Sequence, residues 1–192
     1  MLHFGMTGDL LYYAPDARSP KPYVLLIRFR NGKNLLFSDP RRLGRLAVVE
    51  APEEFVLRRG YGKDALLITQ EEFVRRIHKK RTSIKATLLD QKVVAGVGNE
   101  FSDEILFQAK IHPASMASKL SEKQLTEIFH HMRSILQEAV SRNADRDQLT
   151  HYFFLGNRRA GLTCPRCGGV TEWQTIGGRS SYFCPACQKL YR

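Results

Sequence analysis

Two periodicities divide the chain. Up to residue 50 the apolar residues fall in short β-rich runs: Leu10–Tyr13, Tyr23–Phe29, Leu35–Ser38 and Leu46–Val49. Turn residues separate these runs, so each reads as a strand. Asn31-Gly32 lies between the second and third runs, and both residues tolerate positive φ, which predicts a hairpin there. Asp39-Pro40 breaks the pattern and opens a basic loop, Arg41-Arg42-Leu43-Gly44-Arg45. Pro52 to Asp64 reads as a polar connector.

From Thr69 the period becomes helical. Thr69 with Glu72 fits a capping box, and Phe73, Val74 and Ile77 mark one buried face. A second helix is predicted over Ser83–Asp90 and a third over Asn99–Ala109, with Phe101, Ile105 and Leu106 inward. Ser121 with Gln124 predicts the start of a long helix reaching about Arg142. Its inward stripe is Leu125, Ile128, Phe129, Met132, Ile135, Leu136 and Ala139. Gly96-Val97-Gly98-Asn99 precedes the third helix. A helix stands before it where a dinucleotide fingerprint needs a strand, and the third glycine is absent. Two glycines at a helix start still let backbone N–H groups approach an anion, and Asn99 can cap the helix or donate to a phosphate.

The four cysteines change the picture most. Cys164-Pro-Arg-Cys167 and Cys184-Pro-Ala-Cys187 are CxxC pairs with sixteen residues between them. Two such turns facing each other offer a closed four-sulfur set, which suits one structural Zn2+ and leaves no open position for catalysis. Two disulfides or free core cysteines are the alternatives. Between the pairs, Thr171–Thr175, Gly177-Gly178 and Ser180–Phe183 read as a hairpin. A formal net charge of +11 in 192 residues points to a polyanionic partner. The excess is uneven: residues 156–192 carry six Lys/Arg against one Asp/Glu, and residues 51–110 eleven against nine. The zinc segment therefore meets a phosphate backbone most favourably. No apolar run reaches membrane-spanning length and no signal peptide opens the chain; with the cysteines on metal, a reducing cytosol is the expected compartment.

Several blocks, in order, resemble the formamidopyrimidine-DNA glycosylase and endonuclease VIII family. They are His3-Phe4-Gly5-Met6-Thr7-Gly8, Asp39-Pro40-Arg41-Arg42-Leu43-Gly44, and Ile84-Lys85 leading to Leu88-Leu89-Asp90-Gln91. Val94–Asn99, Asp103-Glu104-x-Leu106-Phe107, Ile111-His112-Pro113 and Gly178–Gln188 follow. The resemblance implies an α+β chain in three parts. These are a partial N-terminal β-sandwich over 1–64, a helical helix–two-turns–helix domain over 65–150, and a C-terminal zinc-ribbon β-hairpin over 151–192. It further implies a grip on double-stranded, lesion-containing DNA. Gly98, Asn99 and Arg179 would hold the phosphates flanking the lesion, and His3 and Lys85 would add backbone contacts. Met6, Arg41 and Leu43 would fill the gap left by an everted base.

The chain also departs from that family. Family enzymes begin Pro-Glu after methionine removal; the proline amine attacks the sugar C1′ and forms a Schiff base, and the glutamate handles protons. This chain begins Met1-Leu2-His3. Leucine stands where the family has an aromatic wedge, at Leu43, and phenylalanine where it has tyrosine, at Phe101. No lysine or histidine sits in a context that argues for a replacement nucleophile, and His130-His131 reads as surface, so no catalytic residue is assigned. The expected function is binding of damaged or distorted DNA without glycosylase or lyase activity. The alternative is a base-excision-repair DNA glycosylase/AP lyase for oxidised purines whose catalytic N-terminus lies outside this chain. An RNA- or ribosome-binding module is the third reading. A partial sandwich is expected to leave one sheet face, Leu25, Ile27 and Phe29 or else Val24, Leu26 and Arg28, for a second copy, another protein or a rearranged segment to cover.

Overall fold

A computed structural model describes residues 1–5, 7–14 and 22–192. The chain forms two compact units, Met1–Arg59 and Gly60–Arg192. In the first, β2 (Asp9–Tyr13), β4 (Asn34–Ser38) and β3 (Leu25–Arg28) make an antiparallel sheet in that order. Its hairpin turns where Asn31-Gly32 predicts: Gly32 has φ 80°, and the Gly32 amide donates to the Phe29 carbonyl at 3.0 Å. β1 (Leu2–His3), which has no counterpart in the sequence pattern, pairs with β5 (Arg45–Leu46). β5 is shorter than the expected run and lies one residue earlier.

The segment read as a connector contains a helix, α1 (Pro52–Arg59). Its signals are Pro52 at the first position, Glu53 and Glu54 in the first turn, and Arg58 and Arg59 in the last. None of its residues is buried, so no inward stripe announces it.

The second unit is built on helices α2 (Gln70–His78), α3 (Ile84–Leu89), α4 (Asn99–Gln108) and α5 (Glu122–Ser141). Their apolar stripes meet in one core that includes Phe73, Ile77, Ile84, Leu88, Ile105 and Leu106. All seven residues of the predicted α5 stripe are buried. Each of the larger side chains in it, Ala139 apart, contributes about 1.5–3 kcal/mol relative to exposure. The capping box at Ser121 and Gln124 is complete. That at Thr69 is half formed: Thr69 Oγ1 accepts from the Glu72 amide, but the Glu72 carboxylate turns to Lys63 and Arg76, each at 2.7 Å. A short helix, α6 (Phe153–Gly156), precedes a hairpin of β6 (Glu172–Ile176) and β7 (Arg179–Phe183).

In the first unit, Leu10, Leu25, Ile27, Leu35 and Phe37 line one face of the sheet. With Met1, Leu2, Leu46, Ala47 and Val48 they enclose an apolar concavity of about 470 Å³. Of the two faces left open by the sequence, the Leu25 and Ile27 face is the one that lines this concavity; Ile27 is 42% exposed. An apolar probe dye such as ANS should therefore brighten on this protein. Leu25→Lys with Ile27→Lys should remove most of that signal without changing the far-ultraviolet circular dichroism. A dye that stays dark with the parent chain would mean the face is covered in solution.

Candidate metal centre and nucleic-acid interface

The hairpin carries the metal site. The two CxxC turns bring the four Sγ atoms within 4.8 Å of one another, with Cys164 and Cys187 at 3.8 Å and Cys167 and Cys184 at 3.6 Å. A tetrahedron with metal–sulfur bonds of about 2.3 Å has edges of about 3.8 Å, so the set fits one Zn2+. The separations are far too long for disulfide bonds, which are about 2.05 Å. The thiols themselves call for a cation. The Gly169 amide, donating to its sulfur, leads the contacts that hold Cys167 down to about 7, whereas burial and the neighbouring sulfurs push Cys187 up to about 12. Four thiolates this close are stable together only around positive charge.

The hairpin is locked onto the helices. Arg166, inside the first CxxC, donates from Nη1 to the Phe107 carbonyl at 2.6 Å and lies over the Phe107 ring at 4.2 Å. Gln188 donates to the Ile111 carbonyl at 2.9 Å while its Oε1 accepts from the Cys184 amide at 2.8 Å.

A buried ion network completes the attachment. Lys85 on α3 and Asp103 on α4 are both fully buried and directly paired. Lys85 Nζ also donates to the Ser180 carbonyl on β7 at 3.0 Å. Arg158 donates to Asp103 Oδ2 through Nε at 3.1 Å and Nη2 at 3.0 Å, and to the same Ser180 carbonyl at 3.0 Å. Burial lowers the pKa of Lys85 and raises that of Asp103, with their mutual attraction opposing both shifts. The expectation that Lys85 adds a backbone contact is corrected here. Its ammonium has no exposed surface and its hydrogen bonds are made inside the protein.

Around this network the expected anion-binding groups are placed. Gly98, not Asn99, is the N-cap of α4, and no side chain caps it. Asn99 is the first helical residue, and its buried Oδ1 has no hydrogen-bond partner. The loop before it is held by Gln91, which accepts from the Gly96 amide at 3.0 Å and donates to the Val97 carbonyl at 3.2 Å. Arg179 is exposed at the hairpin tip, next to the doubly anchored Ser180. The tip turns through Gly177 (φ 57°) and Gly178 (φ 73°); a Cβ at Gly177 would meet the Ala86 Cβ at 3.0 Å, so the tip lies close on α3.

Within the first unit, the loop that carries Arg41 and Leu43 is organised by Asp39. Its carboxylate accepts from the Gly44 amide at 2.6 Å and from Thr7 Oγ1 at 2.8 Å. The Gly44 bond is the main reason its pKa is held below the usual carboxylate range. Gly5 (φ 62°) packs against the same loop, where a Cβ would sit 2.6 Å from the Leu43 carbonyl carbon. His3 Nδ1 accepts from the Gly5 amide at 3.0 Å, and His3, Arg41 and Leu43 are all exposed. Met6 lies outside the described residues. Glu104, which the sequence marks only as part of a family block, is buried on α4 and accepts from the Phe154 amide at 2.6 Å, fixing the start of α6. No titratable partner in the sequence signals that contact. Among the described residues no helix is long and apolar enough to cross a membrane.

Comparison with known proteins agrees with this geometry. Residues 62–150 match the family described as the formamidopyrimidine-DNA glycosylase H2TH domain. Residues 161–190 match a zinc finger found in FPG and IleRS, and residues 1–46 the formamidopyrimidine-DNA glycosylase N-terminal domain. The chain is 34% identical over 200 residues to a formamidopyrimidine-DNA glycosylase of Herpetosiphon aurantiacus, covering 98% of this chain and 73% of that protein. It is 33% identical over 199 residues to one of Chloroflexus aurantiacus, covering 97% and 72%. Its fold is similar to that of the Lactococcus lactis enzyme bound to DNA with an abasic site, at a TM-score of 0.83, 27% identity, and 98% and 73% coverage. A MutM structure with DNA containing carbocyclic 8-oxo-G gives 0.82, 28%, and 98% and 73%.

Two outcomes test this construction. Chelating the metal should melt the β6–β7 hairpin, since structural zinc contributes on the order of 10 kcal/mol to modules of this size, while helicity from α5 persists. Unchanged hairpin signals by NMR after chelation would remove that role. Lys85→Ala should lower stability by at most about 3–5 kcal/mol in urea unfolding, because it leaves buried Asp103 with Arg158 as its remaining charged partner. Weakened DNA binding at full stability would instead place Lys85 at the DNA.

Proposed function

The chain belongs to the formamidopyrimidine-DNA glycosylase family, and from that premise we propose that its 192 residues are the DNA-gripping part of a base-excision-repair DNA glycosylase/AP lyase for oxidised purines. One observation carries the reading. The α3–α4 pair and the four-cysteine hairpin form a single body through Lys85, Asp103, Arg158 and the Ser180 carbonyl. That body carries Asn99, whose Nδ2 can donate to an anion, in the first turn of α4, and Arg179 at its exposed hairpin tip.

On this reading the Asn99 carboxamide and the Gly98 backbone meet one phosphate beside the lesion. The Arg179 guanidinium forks onto another, for which its planar donor geometry is suited. His3 adds a backbone contact. Met6, Arg41 and Leu43 occupy the space left by the everted base, which offsets part of the unstacking cost. The chemistry is assigned to the N-terminal Pro-Glu of the family, which this chain's opening Met1-Leu2-His3 does not contain. A second reading, a damage-binding protein without its own chemistry, is favoured by Leu43, an aliphatic side chain where the family carries an aromatic wedge.

The two readings part in one experiment. Borohydride trapping on abasic duplex should give no adduct with the 192-residue chain. It should give one when the corresponding N-terminal segment of the Herpetosiphon aurantiacus relative precedes residue 1. Failure of that fusion to trap, with DNA binding intact, would favour the binding-only protein. Independently, Arg179→Ala should weaken duplex binding and lower the salt slope by about one. An unchanged slope would take Arg179 out of the contact set.

A further inference from the structure

The stretch from Arg75 to Arg81 has no part in the site above. Within it stand Arg75, Arg76, His78, Lys79, Lys80 and Arg81. Arg76 is partnered by Glu72 at 2.7 Å and Lys80 by Asp90 at 3.6 Å. Arg75, Lys79 and Arg81 are exposed, and among the described residues no carboxylate lies within ion-pair distance of them. Arg75 and Lys79 are four residues apart, so they point the same way, on the side of α2 opposite buried Phe73 and Ile77.

The backbone beneath these cations is pinned. The Lys80 amide donates to the Ile77 carbonyl at 2.9 Å. The Ser118 amide donates to the Lys80 carbonyl at 3.1 Å, and the Ala117 amide to the Thr82 carbonyl at 2.9 Å. Those last two bonds bring the exposed Lys119 to the same edge. A helix dipole favours cations in the last turn, but that effect ends within the turn and does not reach Arg81 or Lys119.

We propose that Arg75, Lys79, Arg81 and Lys119 form a second phosphate-contact surface for duplex DNA, distinct from Asn99 and Arg179. The two sets share no residue: Arg75 stands on α2, Lys79 and Arg81 directly after it and Lys119 beside the Ser118 amide that holds Lys80, whereas Asn99 stands on α4 and Arg179 on β7. Four cations on a held backbone meet a polyanion without needing complementary side chains, which suits a DNA backbone better than an acidic protein. The inference rests on the reading of Asn99 and Arg179 as DNA contacts.

The test is equilibrium binding of the 192-residue zinc-loaded chain to a duplex of about 30 base pairs over a range of salt concentrations. The variant Arg75→Gln, Lys79→Gln, Arg81→Gln and Lys119→Gln should lower the slope of log affinity against log salt by about 3–4, at about 0.9 per lost contact. Its thermal midpoint and zinc content should not change. If that variant folds poorly, Arg75→Gln with Lys79→Gln alone should lower the slope by about 2. An unchanged slope with binding intact overturns the second surface and leaves the edge as a solvated face or a dock for an acidic protein. Arg179→Ala reports separately on the first surface. No binding by the parent chain at any salt concentration overturns both.

Discussion

One buried cation, one partly exposed cation and one buried carboxylate hold the functional body of this protein together. Lys85, Asp103 and Arg158 come from α3, α4 and the segment after α6, and two of them converge on one carbonyl of β7. Desolvating such charges is costly, and replacing them by apolar residues is often neutral for stability. What the network adds is position. A greasy contact would let the hairpin slide on α3 and α4, whereas hydrogen bonds from two donors to the Ser180 carbonyl fix its register. Arg179 is the residue just before Ser180, so its guanidinium inherits that placement.

The metal centre acts on the same hairpin from its other end. The two CxxC turns bring four sulfurs within 4.8 Å of one another, and thiolates at that spacing are held together by a cation between them. Zinc closes the far end of the hairpin, while the ion network and the close approach of Gly177 to Ala86 fix the tip. Arg166 and Gln188 then tie the metal turns to the end of α4. A 30-residue segment with little core of its own is thus held by coordination, salt bridges and carbonyl contacts, as small modules require.

The first unit solves a comparable problem with one carboxylate. Asp39 accepts from Gly44 and Thr7 and so gathers the loop that presents Arg41 and Leu43. Gly5 permits close approach of that loop because no Cβ intervenes. Phe37 links the two features of this unit: its ring lies against Gly44 of the loop and also lines the apolar concavity with Leu10, Leu25 and Ile27.

Much of this was written in local pattern. The α5 stripe, the Ser121 and Gln124 box, the Asn31-Gly32 turn and the CxxC spacing each depend on residues a few positions apart, and each is found where expected. Family membership was equally legible, because the motif blocks carry it in order. Helix α1 was missed because it buries nothing and so lacks periodicity. Lys85 was misplaced for a different reason. A lysine in a basic chain reads as a surface charge, and only the folding together of α3, α4 and β7, up to 95 residues apart in sequence, puts a carboxylate and a carbonyl around it. Local sequence determined which helices and turns form and which metal the cysteines take. The tertiary structure alone decided which charges are withdrawn from solvent to hold the body rigid and which are left outside for a ligand, since burial is a property of the assembled chain and not of any short stretch of it.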